Sequence, residues 1–159
     1  MGGNQVLDRA QLLGRGAQLL AIPTLATAHV PEKLGGVSAS ILEFDPAPTA
    51  KSSFSCAGDA AFASRLRELG RDQMILAGFE AHICIALTAR ELADQGLEVF
   101  VVADAVASRT SDRMEVALAS LRAGGIRVEH SETILYGLLG AADHPAFREV
   151  LGLVKGSRY

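Results

Sequence analysis

Apolar residues at Val6, Ala10, Leu13, Ala17 and Leu20 recur at steps of four and three, so they line one face of an α-helix that opens the chain. The compact run from Ala21 to Ala26 carries Ile22, Thr24 and Leu25 and predicts a short strand, with Pro23 admissible only near a strand start or edge. From His29 to Ala50 the chain holds Pro31, Pro46, Pro48 and the pair Gly35-Gly36, a composition of turns and a long functional loop, with a brief strand at Ser38 to Glu43. Helical spacing returns at Asp59 with Phe62, Leu66 and Leu69.

Met74 to Ala77 and Val99 to Ala103 are continuous apolar runs of the kind buried on both faces of a parallel sheet. The helix between them, from about Ala81 to Gln95, turns Ile85, Thr88 and Leu92 inward, and the three elements make a βαβ unit. A further helix carries Met114, Ala117, Leu118 and Leu121, ends at Gly124-Gly125, and leads into a strand at Ile126 to Glu129. The last helix is predicted to start at Pro145, with Phe147, Val150, Leu151 and Val154 on its apolar face. This alternation predicts one α/β domain over residues 1–159: three layers, with a mostly parallel sheet covered by helices on both faces. In such a fold, sites lie at the carboxyl ends of the strands.

Composition narrows the function. With 49% hydrophobic residues in 159, the chain can bury a sizeable core without disulfides or metal. A net charge of -3 with 21% charged residues provides no basic surface, so nucleic acid and membrane partners are not expected. No apolar run reaches the roughly 20 residues of a membrane span, and the first residues lack the order of a signal peptide, so a cytoplasmic location is expected. The two cysteines, Cys56 and Cys84, stand in different contexts and predict reduced thiols rather than a disulfide framework.

The chemically informative segment is Met74-Ile-Leu-Ala-Gly-Phe-Glu-Ala-His-Ile-Cys84: a strand, a glycine turn, and a thiol entering a helix. Unpaired amides and the positive end of the helix dipole favour a thiolate there, which makes Cys84 a candidate nucleophile. The competing reading is a small buried apolar residue, the commonest fate of a free cysteine. Cys56 has no such setting and is read as a packing residue.

Gly78, Glu80, His82, Cys84 and Thr88, followed by the strand Gly96 to Asp104 and Ala105-Val-Ala-Ser-Arg109, resemble the signature of the isochorismatase-like cysteine hydrolases. The resemblance spans roughly Leu12 to Lys155, includes the His144-Pro145-x-Phe147 helix, and is closest to small isochorismatase-domain proteins of unassigned substrate. It implies a Rossmann-like fold and a hydrolase in which Cys84 attacks a small-molecule amide or related C–N or C–O bond. It also implies that Lys51, in Lys51-Ser-Ser-Phe54-Ser, keeps the thiolate. The amides of Glu80 and Cys84 would form the oxyanion hole, often with a cis peptide between the residues corresponding to Phe79 and Glu80. Phe54 would contact substrate; His82 would either orient substrate or cap and support the turn. Asp104 and Arg109 are expected to secure the strand end and the loop after it through charge-assisted hydrogen bonds. Family members are usually oligomers, so a homo-oligomer is expected.

Two family features have no counterpart. The catalytic aspartate belongs to a first, central strand, and here the sequence runs from Met1 almost directly into the opening helix; Asp8 reads as an exposed helix residue. The loop glutamate after the second strand is replaced by Ala28 in Thr27-Ala28-His29. The missing strand would leave a gap in the sheet, implying a truncated chain, a rearranged sheet or a strand given by a partner. The alternative function is therefore a catalytically impaired relative that binds a small molecule or serves as an assembly subunit. Metal is not expected, because the loop offers His29 without a convergent carboxylate and histidine set. No cofactor is expected either: Gly14-Arg15-Gly16 lies inside a helical pattern and lacks the third glycine of a dinucleotide fingerprint.

Overall fold

A computed structural model describes residues 3–157. The opening amphipathic stretch forms α1, Gly3–Leu19, and seats Val6 and Leu12 in the interior. Gly14 and Gly16 lie where α1 meets the Phe44 ring and the Leu135 side chain, and a Cβ at either position would overlap them.

The expected strand at Ala21 to Ala26 does not form. Those residues begin as the cap of α1: Ala21 adopts a left-handed φ of 53°, its amide donates to the Gln18 carbonyl, and that of Ile22 reaches back to Ala17 at 2.8 Å. The Ala26 amide then donates to the Asp45 carboxylate at 2.7 Å, so pairing starts one residue later, in β1, Thr27–His29. The proposed strand at Ser38 to Glu43 is likewise replaced by a single turn of helix. The connection holds α2, Pro31–Leu34, and α3, Ala39–Leu42, the latter closed by bonds from the Ile41 and Leu42 amides to the Ser38 carbonyl. The unanticipated β2, Thr49–Lys51, pairs in parallel with β1 and sets His29 beside Lys51.

Helix α4, Ala60–Leu69, is capped by Asp59, whose carboxylate accepts from the Ala61 and Phe62 amides. Strand β3, Gln73–Phe79, leads through a π-type turn, Ala81–Ile85, into α5, Ala86–Asp94. Strand β4, Glu98–Ala107, is longer than its apolar run suggested, and α6, Ser111–Ala123, precedes β5, Arg127–Glu129. The chain closes with α7, Ser131–Leu139, which the apolar pattern did not single out, and α8, Phe147–Gly156. That last helix begins two residues past Pro145, because His144 first closes a turn by accepting from the Phe147 amide.

The architecture is the expected three-layer α/β arrangement with parallel strands. Val99 and Val101 of β4 point into a cluster with Phe62, Ile85, Leu92 and Leu118, contributed by α4, the π turn, α5 and α6. Val102 points the opposite way, toward Ile134 and Leu13, on the side where α1, α7 and α8 form a second apolar layer. The sheet is broken: β1 and β2 form one ladder, β3, β4 and β5 another. Among the described residues no ladder joins the two. No described helix is long and apolar enough to cross a membrane.

Candidate active site

The carboxyl ends of β2 and β3 converge on Cys84. At the end of β3, Gly78 takes a φ of 122°, open to glycine alone without strain, where the register with β4 shifts between Leu76 and Gly78. The Phe79–Glu80 peptide is cis, as the resemblance implied. The π turn then carries Cys84 into α5. Its bonds to the Glu80 carbonyl come from the Ile83 and Ile85 amides, both at 3.1 Å, and pass over Cys84.

Lys51 arrives from β2. Its ammonium lies 4.0 Å from the Cys84 sulfur and donates to the carbonyls of Ser53 at 2.7 Å and Phe54 at 2.9 Å. The residue is only 5% exposed. An ammonium has three protons to place, and two carbonyls and a sulfur take all three. Among the described residues no carboxylate forms an ion pair with Lys51.

The structure brings Phe54 to the same edge, exposed, its ring 5.4 Å from that of His29, and Phe79 is exposed as well. His82 is held within the protein: Nδ1 lies 2.8 Å from the Ser108 hydroxyl and 3.4 Å from Glu80 Oε2. It also lines a shallow cleft of about 310 Å³ with Ala86, Arg90, Arg113 and Val116. That cleft lies between α5 and α6, and Cys84 and Lys51 do not line it. The thiol and its cation carry chemistry that the cleft lacks, so the site is placed at Cys84.

Glu80 accepts from the Arg109 amide at 3.1 Å, with the guanidinium 3.8 Å away. Asp104 accepts from the Ser131 amide and hydroxyl and faces buried Arg9 at 3.4 Å. Asp104 therefore secures the backbone after β5, as expected, whereas at Arg109 it is Glu80 that holds the backbone amide, with the exposed guanidinium nearby. Asp8 is exposed on α1. Cys56 donates its amide to the Thr88 hydroxyl at 2.9 Å, and its sulfur lies 3.6 Å from the Thr27 hydroxyl. Both thiols are free. The described residues contain no group of three or more His, Cys, Asp or Glu placed to hold a metal.

Sequence reasoning missed two features. Asp45 anchors the site's framework: both its carboxylate oxygens lie 2.9 Å from Arg65 Nη2 and accept from it, and they also accept from the Ala26 and Ala47 amides, while Arg65 Nη1 donates to the Thr49 hydroxyl. Burial alone would raise its carboxyl; the Arg65 and amide hydrogen bonds together outweigh that and hold it below the usual carboxylate range. The second is His29, whose Nδ1 is buried and has no hydrogen-bond partner among the described residues.

The isochorismatase domain model matches residues 1–133. Isochorismatase domain-containing protein 2 of Danio rerio is 37% identical over 152 residues, covering 95% of this chain and 76% of its own length. A structure described as MAR1 ribonuclease from Caenorhabditis elegans superposes with a TM-score of 0.89 at 31% identity, covering 98% of this chain and 82% of that one. The Escherichia coli YcaC product, described as an octameric hydrolase of unknown specificity, shares the fold, with a TM-score of 0.76 at 17% identity over 98% of this chain and 84% of its own.

Proposed function

Since the chain belongs to the isochorismatase family, a hydrolase-type superfamily, we propose that it is a cysteine hydrolase acting on a small-molecule amide or related C–N or C–O bond. One observation carries this reading. Lys51 is buried with two carbonyls and a thiol as its partners, and a buried ammonium without an anion is costly. A Cys84 thiolate balances that charge, and a thiolate is the nucleophilic form.

Cys84 would attack the substrate carbonyl carbon, with the amides of Glu80 and Cys84 receiving the developing oxyanion. Support for the second amide is that the turn's bonds to the Glu80 carbonyl skip it. Phe54 and Phe79 would flank the apolar part of the substrate. His82 is engaged with Ser108 and Glu80, which favours a supporting role for it over substrate contact. The worm relative is named a ribonuclease; with a net charge of -3 this chain has no evident basic track for a phosphate backbone, so a small molecule is placed first. The octameric description of the Escherichia coli neighbour suggests a homo-oligomer here.

Iodoacetamide labelling followed by peptide mass spectrometry tests the reading, with Cys56 as internal control. Cys84 should label faster than Cys56 at neutral pH, Lys51→Met should slow it about tenfold or more, and Cys84→Ala should abolish release of product from small amides. Equal labelling of the two thiols, unaffected by Lys51→Met, would overturn it.

A second reading, a binding or assembly subunit without turnover, is favoured by the site itself, where among the described residues no carboxylate forms an ion pair with Lys51. Glu80, beside the thiol in sequence, is engaged with Arg109 and His82. Such a protein would show ligand-dependent thermal stabilisation without product.

A further inference from the structure

The cleft between α5 and α6 is separate from the thiol, which does not line it. His82, Ala86 and Arg90 stand on one wall; Arg113, Val116, Ala117 and Ser120 stand on the other. Residues three or four apart share one face of a helix, so each wall is a single stripe, and the cleft is the groove where α6 packs on α5 and on the π turn before it. Its volume of about 310 Å³ falls at the small end of ligand sites, which span roughly 300–1,000 Å³.

The groove combines an apolar floor with cations at its rim. Ala86 and Ala117 are buried at the floor, and Val116, 70% exposed, offers its methyl groups to anything that enters. Arg90 and Arg113 are both exposed, and among the described residues neither guanidinium forms an ion pair. Arg90 is held across the groove by the Ser120 hydroxyl at 2.9 Å. The one carboxylate in the lining, Asp112, is engaged by the Thr110 side chain and by the amides of Arg113 and of Asp112 itself. Two guanidiniums facing one occupied carboxylate leave positive charge for an anion, and the planar fork of arginine matches a carboxylate.

We infer that this groove binds a small organic carboxylate with an apolar body, and that its occupancy slows the reaction of Cys84. The carboxylate would meet Arg113 and the apolar body would cover Ala86, Val116 and Ala117. The link to the thiol runs through His82, which lines the groove and stands two residues before Cys84 in the same π turn. His82 Nδ1 ties that turn to Ser108 at 2.8 Å and faces Glu80 at 3.4 Å. Negative charge set down beside the turn opposes a thiolate within it. The binding half of the inference stands by itself; the slowing rests on the proposed Cys84 thiolate.

The probe is benzoate, with ionic strength held constant by chloride. Equilibrium dialysis of the full chain should show saturable binding of about one benzoate per chain. Arg113→Gln should weaken it about tenfold, and Val116→Asp, which sets a second negative charge at the mouth, should abolish it. Phe54→Ala should bind benzoate as wild type does, which separates the groove from the surface beside the thiol, and excess benzyl alcohol, the same ring without the charge, should not displace it. Binding that does not saturate, or that survives both groove substitutions unchanged, would overturn the site. Saturating benzoate should slow iodoacetamide labelling of Cys84 about twofold or more, with half the effect at the dialysis midpoint, no change at Cys56, and no effect in Arg113→Gln. Binding that leaves the Cys84 rate unchanged would overturn the link to the thiol. Should Cys84 label no faster than Cys56 without benzoate, the nucleophile reading fails, and the dialysis result still decides the site.

Discussion

The two halves of the broken sheet are held by different forces. The ladder of β3, β4 and β5 is apolar: Val101, Val102 and Val106 are fully buried, and β4 is packed between two helical layers. The ladder of β1 and β2 reads Thr-Ala-His beside Thr-Ala-Lys and has no large apolar side chain. Polar bonds hold it instead: Asp45 to the Ala26 amide, Arg65 to Asp45 and Thr49, and Lys51 to two carbonyls. Hydrophobic burial is non-directional and serves as scaffold, while hydrogen bonds and ion pairs set positions of individual atoms. The apolar ladder supplies the stability; the polar one places Lys51 against the thiol that the apolar ladder delivers.

Truncation in each ladder should separate these roles. Val101→Ala removes two methyl groups from a site with no exposure and should cost about 2 kcal/mol in urea unfolding. Ile75→Ala on β3 deletes more atoms, yet Ile75 is only half-buried and, among the described residues, β3 pairs with β4 alone, so the cost should be smaller, about 1 kcal/mol. Neither should change the rate of Cys84 alkylation below the unfolding transition. A larger loss at Ile75 than at Val101 would mean that the gap beside β3 is closed in solution.

Next in size is Asp45→Asn. It keeps the side chain's shape and removes the charge facing Arg65, a bond worth about 1–2 kcal/mol given that Arg65 is partly solvated. Unlike Val101→Ala, it should also slow Cys84 alkylation several-fold, because Asp45 aligns the start of β1 and, through Arg65, the Thr49 end of β2. If the stability falls while the alkylation rate stays put, the polar ladder is not what positions Lys51.

Legibility in the sequence divides along the same line. Helix α5, strand β4 and helix α6 were readable because apolar periodicity reports burial, and each buries several side chains; β3 was readable from its apolar run although its residues are only half-buried or exposed. Strands β1 and β2 were misplaced or missed because three residues such as Thr49, Ala50 and Lys51 carry no periodicity; their pairing is set by the distant Asp45 and Arg65. The α1 cap was misread as a strand because Ala21 takes a left-handed conformation normally left to glycine. At the site, Cys84 and Lys51 were visible through family motifs. His29 was noticed only as insufficient for a metal: an unmatched nitrogen is a property of three-dimensional surroundings, and no pattern along the chain encodes it.

The smallest effect concerns acid. The folded-state carboxyl of Asp45 is held below its usual value, because hydrogen bonds from Arg65 and the Ala26 and Ala47 amides outweigh the opposing effect of burial. The unfolded chain therefore binds a proton more readily than the native one, and the stability contributed by Asp45 is complete above the unfolded value of about 3.9. It is lost as pH falls from there through the folded value. Asp45→Asn has nothing to titrate at this position, so the stability gap between wild type and variant should be widest near neutrality and should narrow below about pH 4. Asp112, lowered mainly by the Thr110 side chain, is fully exposed and should contribute little to the same window. Urea midpoints for both proteins from pH 7 down to pH 3 read the narrowing directly. A gap that stays constant across that range would mean that Asp45 acts by shape rather than charge, and that the polar ladder depends on fit much as the apolar one does.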